Sequence, residues 1–130
     1  MTFHPDDFGK IAEKIHDALQ QTTLIPVNDS ESEAWIRTAI SRAYYSAFLL
    51  VNEKSGKTFW GKNAHENLVK YLIAMGGLHA IIGSKLDVLR KNRIKADYWM
   101  PPNYFAKLNT LKWSISILQD IRSKLGRCFP

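Results

Sequence analysis

The sequence predicts an all-α protein, an up-and-down bundle of four or five helices. Three observations carry this. Apolar residues recur with the 3.6-residue helical period in five successive segments. Proline, glycine or asparagine marks the boundaries between them. No run alternates with period two over the length of a strand. The 130 residues suit a single domain spanning 1–130. A chain of this size buries roughly two-thirds of its unfolded surface and needs no disulfide or metal to hold it.

The first helix is expected from about Pro5 to Thr22. Phe8, Ile11, Ala12, Ile15, Ala18 and Leu19 share one face. Pro5 suits a first turn, and Asp6 and Asp7 favour the positive end of the helix dipole. Pro26 and Asn28-Asp29 then read as a loop. The second helix is expected over Ser30–Lys54, opened by a capping box of Ser30 with Glu33. Its stripe is Trp35/Ile36, Ala39/Ile40, Ala43/Tyr44, Ala47/Phe48 and Val51, in which the alanines permit close approach of a neighbour. Gly56 ends it, and residues 55–63 form a loop with an exposed-looking Phe59-Trp60.

A short third helix is expected over Ala64–Met75, with Asn63 as cap, Glu66 as its return partner and Gly76-Gly77 as the stop. The fourth is expected over Leu78–Tyr98 on Leu78, Ile81, Ile82, Leu86 and Leu89. Its stripe continues into Asn92/Arg93 and Ala96, so Arg93 occupies a core phase. The fifth is expected from about Pro102 to Leu125, with Phe105, Leu108, Leu111, Ile115, Leu118, Ile121 and Leu125 on one face and Gly126 as cap.

Composition narrows the function classes. Apolar content of 45% and charged content of 23% are those of a globular protein. The N-terminus has neither the basic nor the apolar region of a secretory signal. Apolar runs fall far short of the ~20 residues of a membrane-spanning helix. The single cysteine, Cys128, reads as a stray terminal thiol that forms no internal disulfide. A cytoplasmic protein without membrane association is expected. His4, His16, His65 and His79 lack metal-ligand spacing, so no metal is expected. His16 and His65 read as structural. No phosphate-cradling glycine loop and no nucleophile triad are visible, and no cofactor is expected.

Charge is uneven. Residues 1–66 carry seven Lys/Arg against nine Asp/Glu, and residues 67–130 carry eleven against three. Either the basic half meets an acidic partner such as nucleic acid, or it is a solvated face. Lys85, Arg90, Lys91, Arg93 and Lys95 fall within eleven residues, followed by Tyr98, Trp99 and Tyr104. Cations beside flat rings serve single-stranded RNA, the cations for phosphates and the rings for bases. The same aromatics would also close the corner between the last two helices. Arg93 pairs with Asp97 one turn on, or it clamps a phosphate with its planar fork. Arg42 and Tyr45 lie off the main stripe of the second helix. They face a second subunit or cleft, or simply the surface.

Two stretches carry a family resemblance. Ala39-Ile40-Ser41-Arg42-Ala43-Tyr44-Tyr45-Ser46-Ala47-Phe48 resembles the signature second helix of HEPN (higher eukaryotes and prokaryotes nucleotide-binding) domains. Leu89-x3-Arg93-x2-Ala96-Asp97-Tyr98 resembles the second motif of a prokaryotic subgroup of them. The likeness covers roughly residues 30–125. It implies a helical bundle that forms a homodimer, with two copies of the second motif facing one another across a cleft. It implies binding of RNA or a nucleotide, and a place in a toxin–antitoxin or phage-defence module beside a minimal nucleotidyltransferase or other cognate protein. Catalytic members are metal-independent endoribonucleases whose motif is Arg, four to six residues, then His. Here Tyr98 stands where that His is expected, and Leu49 replaces another usual His. A tyrosine of pKa ~10 is a poor base at neutral pH. The resemblance therefore implies a binding protein with a degraded ribonuclease motif. The alternative it leaves is an active ribonuclease with an intersubunit site of Arg93, Asp97 and Tyr98. On either reading Arg42, Tyr45, Lys85, Arg90, Lys91, Lys95 and Trp99 are candidate RNA or nucleotide contacts.

Overall fold

A computed structural model describes residues 4–21 and 29–129, the side chains of Asp29 and Ser30 excepted. The expected loop signals at Pro26 and Asn28, the end of the first helix at Thr22 and the Ser30–Glu33 capping box lie outside the described residues. The described residues form five helices: α1 (Asp6–Gln20), α2 (Asp29–Ser55), α3 (Ala64–Met75), α4 (Gly77–Tyr98) and α5 (Leu108–Cys128). The expected all-α bundle is the observed one. No helix among the described residues is long and apolar enough to cross a membrane.

Helix α2 is the spine, packed on α1, α4 and α5. Ala39, Ala43 and Ala47 are fully buried and keep its neighbours close, while Tyr44 fills the space beside them. Helix α1 settles between α2 and α5 through Gly9. A Cβ there would stand 3.0 Å from both Leu118 Cδ2 and Ser46 Oγ. Helix α3 packs on α4, to which it is joined by Gly76 alone. Gly76 has φ +70°, which a side chain rarely allows. Buried Asn92 donates to Ser114 Oγ at 3.2 Å and ties α4 to α5. Arg122 of α5 reaches Asp6 and Glu13 of α1 at 3.3 and 3.6 Å.

Several expectations about faces and ends are corrected. Ile11, Trp35 and Ile81 are exposed rather than in the core. In α1 the buried positions are Gly9 and Ala12, and in α4 Gly83 sits against α3. The small residues at the close crossings, Gly9 and Ala12 in α1 and Gly83 in α4, thus face the neighbours while Ile11 and Ile81 are turned out. Asn63 makes no side-chain cap bond, and Glu66 pairs with Lys70 at 3.1 Å instead. The fifth helix starts six residues later than expected. A cis Pro101-Pro102 bond leads into an extended segment in which Tyr104 and Ala106 turn inward and Phe105 and Lys107 outward. That is a two-residue alternation in a piece read as helix. Gly126 is not a cap, since α5 runs on to Cys128, which is buried and whose thiol pKa burial raises.

Candidate anion-binding site

The basic run on α4 separates into faces. A helix turns 100° per residue, so Arg90, Arg93 and Asp97 share one stripe while Lys91 and Lys95 fall on another side. The first three meet α2 and the start of α3. Arg93 Nε lies 2.7 Å from Asp97 Oδ2. The contact is an ion pair across one helical turn. The guanidinium also lies over two rings, 5.1 Å from Tyr45 and 5.5 Å from Tyr98. Its side chain keeps 17% of its exposure. Burial opposes the charge, but Tyr45, Asp97 and Tyr98 outweigh it and raise the arginine pKa. Ser41 Oγ donates to Asp97 Oδ2 at 3.5 Å.

Arg90 stands one turn before Arg93 and is partly exposed. It enters no ion pair or hydrogen bond among the described residues. Its charge acts on Tyr44 and His65. His65 opens α3 and stacks on Phe48 with centroids 4.1 Å apart, with Tyr45 edge-on at 6.1 Å. Its Nδ1 is hydrogen-bonded to the Tyr44 hydroxyl. Burial, with Arg90 and Arg93 behind it, lowers the His65 pKa, so the imidazole is neutral at neutral pH. Burial raises the Tyr44 pKa and keeps its hydroxyl protonated.

The remaining candidates are spread out. Lys85 bridges to Asp120 of α5 at 2.8 Å, two turns from Arg93. Lys91 pairs with Asp87 at 3.1 Å on the solvent side. Arg42 is turned toward α1, its guanidinium 4.9 Å from the Phe8 ring. Lys95 lies over Trp99 at 5.3 Å. Tyr98 and Trp99 are both exposed, and with Met100, Pro101 and Asn103 they line an open groove beyond the end of α4. The structure therefore brings together Arg90, Arg93, Asp97, Tyr45 and Tyr98, sets Lys95 and Trp99 beside them, and leaves Lys85, Lys91 and Arg42 apart.

Two residues that complete the site escaped sequence reasoning. His65 sits at a helix start, where a histidine reads as structural; its partners lie 17 to 28 residues away. Arg37 is the other. Its Nη1 donates to the carbonyls of Lys95, Ala96 and Trp99 at 3.4, 2.8 and 2.7 Å. Its Nε bonds Glu33 at 3.1 Å, and its guanidinium lies 5.1 Å from the Tyr104 ring. It thereby satisfies the orphan carbonyls at the end of α4 and fixes Tyr98 and Trp99 in place. The Glu33–Arg37 spacing was legible as a helical pair; the carbonyls about 60 residues on were not. Among the described residues no group of three or more His, Cys, Asp or Glu is placed to hold a metal. Chemically, the cluster offers one uncommitted guanidinium, one half-neutralised guanidinium, a neutral imidazole and flat rings, a set suited to a phosphate flanked by a base. No protein-family model, curated protein or solved structure matches this chain.

Proposed function

We propose that this chain binds single-stranded RNA or a nucleotide, taking a phosphate at Arg90 and Arg93 and stacking a base on Tyr98 or Trp99. The observation that carries this is Arg90, a helix-borne guanidinium that finds no carboxylate partner among the described residues, one turn from a second arginine already framed by rings. Lys91, the next residue, is by contrast held by Asp87. The HEPN-like homodimer, its cognate partner protein and its toxin–antitoxin or defence setting rest on the resemblance and belong to the same proposal.

The test is anisotropy of labelled single-stranded RNA across a salt series. Binding that weakens with salt, and weakens about tenfold in Arg90→Ala, is expected from loss of one phosphate contact. Equal binding by Arg90→Ala and the unaltered protein overturns the reading.

His65 favours a second reading, a metal-independent endoribonuclease at Arg93, Asp97 and Tyr98. A neutral imidazole near Arg93 supplies the proton-transfer group that Tyr98 does not. RNA cut in the presence of chelator to 2′,3′-cyclic ends, with cutting lost in His65→Gln, would establish it. Intact RNA leaves the binding function alone.

A further inference from the structure

The loop between α2 and α3, residues 56–63, holds Trp60 at 89% exposure, the most exposed large apolar side chain among the described residues. The backbone on either side of it is fixed. Asn52 clasps Phe59 through two hydrogen bonds, Nδ2 to the Phe59 carbonyl and the Phe59 N–H to Oδ1, both 2.9 Å. Phe59 packs inward with its ring 5.9 Å from Tyr71. The Ala64 N–H closes the far side on the Gly61 carbonyl at 3.2 Å, and Gly61 turns at φ +90°. A built loop thus forgoes burial of its largest ring and points it at water, where a ring is normally packed.

Its surroundings name the ligand. Residues 54–65 contain Lys54, Lys57 and Lys62 and no acidic residue. The loop leads into the first turn of α3, which carries His65, the imidazole beside Arg90 and Arg93. Trp60 has no exposed apolar neighbour in the loop, since Phe59 is turned in and Thr58, Gly61 and Lys62 flank it. A lone ring among cations fits base stacking on a phosphate-bearing strand, whereas a protein interface needs a contiguous apolar patch. Resting on the function proposed above, we infer that Trp60 is a second subsite for the same single strand. It stacks an unpaired base a short way along from the phosphate at Arg90, with Lys62 between the two, while Lys57, on the far side of the ring, lies 5.5 Å over Tyr71.

The experiment compares Trp60→Ala, Trp60→Phe and Arg90→Ala in anisotropy with one labelled single-stranded RNA across salt. Trp60→Ala is expected to weaken binding about tenfold, the loss of one base stack, with the salt slope unchanged. Trp60→Phe is expected to retain most of the affinity. Because the ring is exposed, the melting temperature of both variants should match that of the unaltered protein. Full affinity in Trp60→Ala alongside weakened Arg90→Ala overturns this inference and leaves the first reading standing. A changed solution mass in Trp60→Ala assigns the ring to a protein contact and also overturns it. Absence of any RNA binding by the unaltered protein overturns both.

Discussion

Asp97 holds part of the Arg93 charge away from any ligand. Its carboxylate sits 2.7 Å from Nε, and Ser41 steadies it from α2. The pair is only partly exposed, and an ion pair that still meets water contributes up to about 1 kcal/mol, so its removal should destabilise the fold by no more than that. The same amount becomes available to a phosphate. Asp97→Asn is therefore expected to tighten single-stranded RNA binding roughly fivefold, about 1 kcal/mol, with the melting temperature nearly unchanged. Weaker binding in this variant would show that the carboxylate positions Arg93 rather than competing for it. His65 sets a pH dependence of definite sign. Its folded pKa lies below the ordinary 6.5, so the unfolded chain takes up the proton first as pH falls. Stability is full above that value and declines as pH drops below it. Melting temperatures measured from neutral pH down to about pH 5 should fall, and less steeply in His65→Gln. Asp120 acts in a different window. Hydrogen bonds from Lys124 and Lys85 depress its pKa, so its contribution is lost only as pH falls below the ordinary carboxylate range.

At the scale of elements, glycine decides how close α3 comes to α4. A Cβ on Gly83 would meet Leu72 Cβ at 3.0 Å, Ile73 Cγ1 at 3.2 Å and the Val69 carbonyl at 3.4 Å. None of these is the free end of a flexible chain. Alanine would add about 1 kcal/mol of helix propensity, but overpacking at such a crossing costs about 1–3 kcal/mol. Gly83→Ala should lower the melting temperature by a few degrees; a rise would mean the two helices part without cost. The same crossing explains what the sequence disclosed. Helix number and most ends were legible because apolar spacing and the Gly76-Gly77 break are local signals. Ile81 is large and in phase with the apolar stripe, yet the face that packs is the one carrying Gly83. Phe105 was assigned to α5 on spacing, although the segment before Leu108 is extended. For the site, Arg93, Asp97 and Tyr98 were legible as one helical run with an arginine in a core phase. Arg90 was legible only as one of five cations, because what separates it from Lys85 and Lys91 is the carboxylate each lysine finds. His65 and Arg37 owe their roles to side chains and carbonyls tens of residues distant, and no local pattern encodes such pairing.

For the whole molecule, the charge split and the leftover apolar surface bear on how copies assemble. Residues 67–130 carry the excess of cations, so two copies brought together through the end of α4 would concentrate like charge. Apolar burial must outweigh that repulsion. Met100 and Phe105 are both exposed around the turn that follows α4, and the proposed seam buries these two while Tyr98 and Trp99 stay open to a base. Burying a large ring or a Met side chain contributes about 1.5–3 kcal/mol each, several times an exposed charge pair. The proposed homodimer through this turn would also set the two Arg90–Arg93 pairs near one another and raise the affinity for a strand that touches both. Sedimentation should give a mass approaching twice the 14.9 kDa chain, and closer to it as salt screens the basic halves. Phe105→Asp places a carboxylate where the seam would close and should return the protein to a monomer while leaving its helical content intact. In that monomer, RNA affinity should drop even though Arg90 and Arg93 are unchanged. A chain that sediments as a monomer at every salt concentration would confine the site to one protomer and remove the twofold cleft from the proposal.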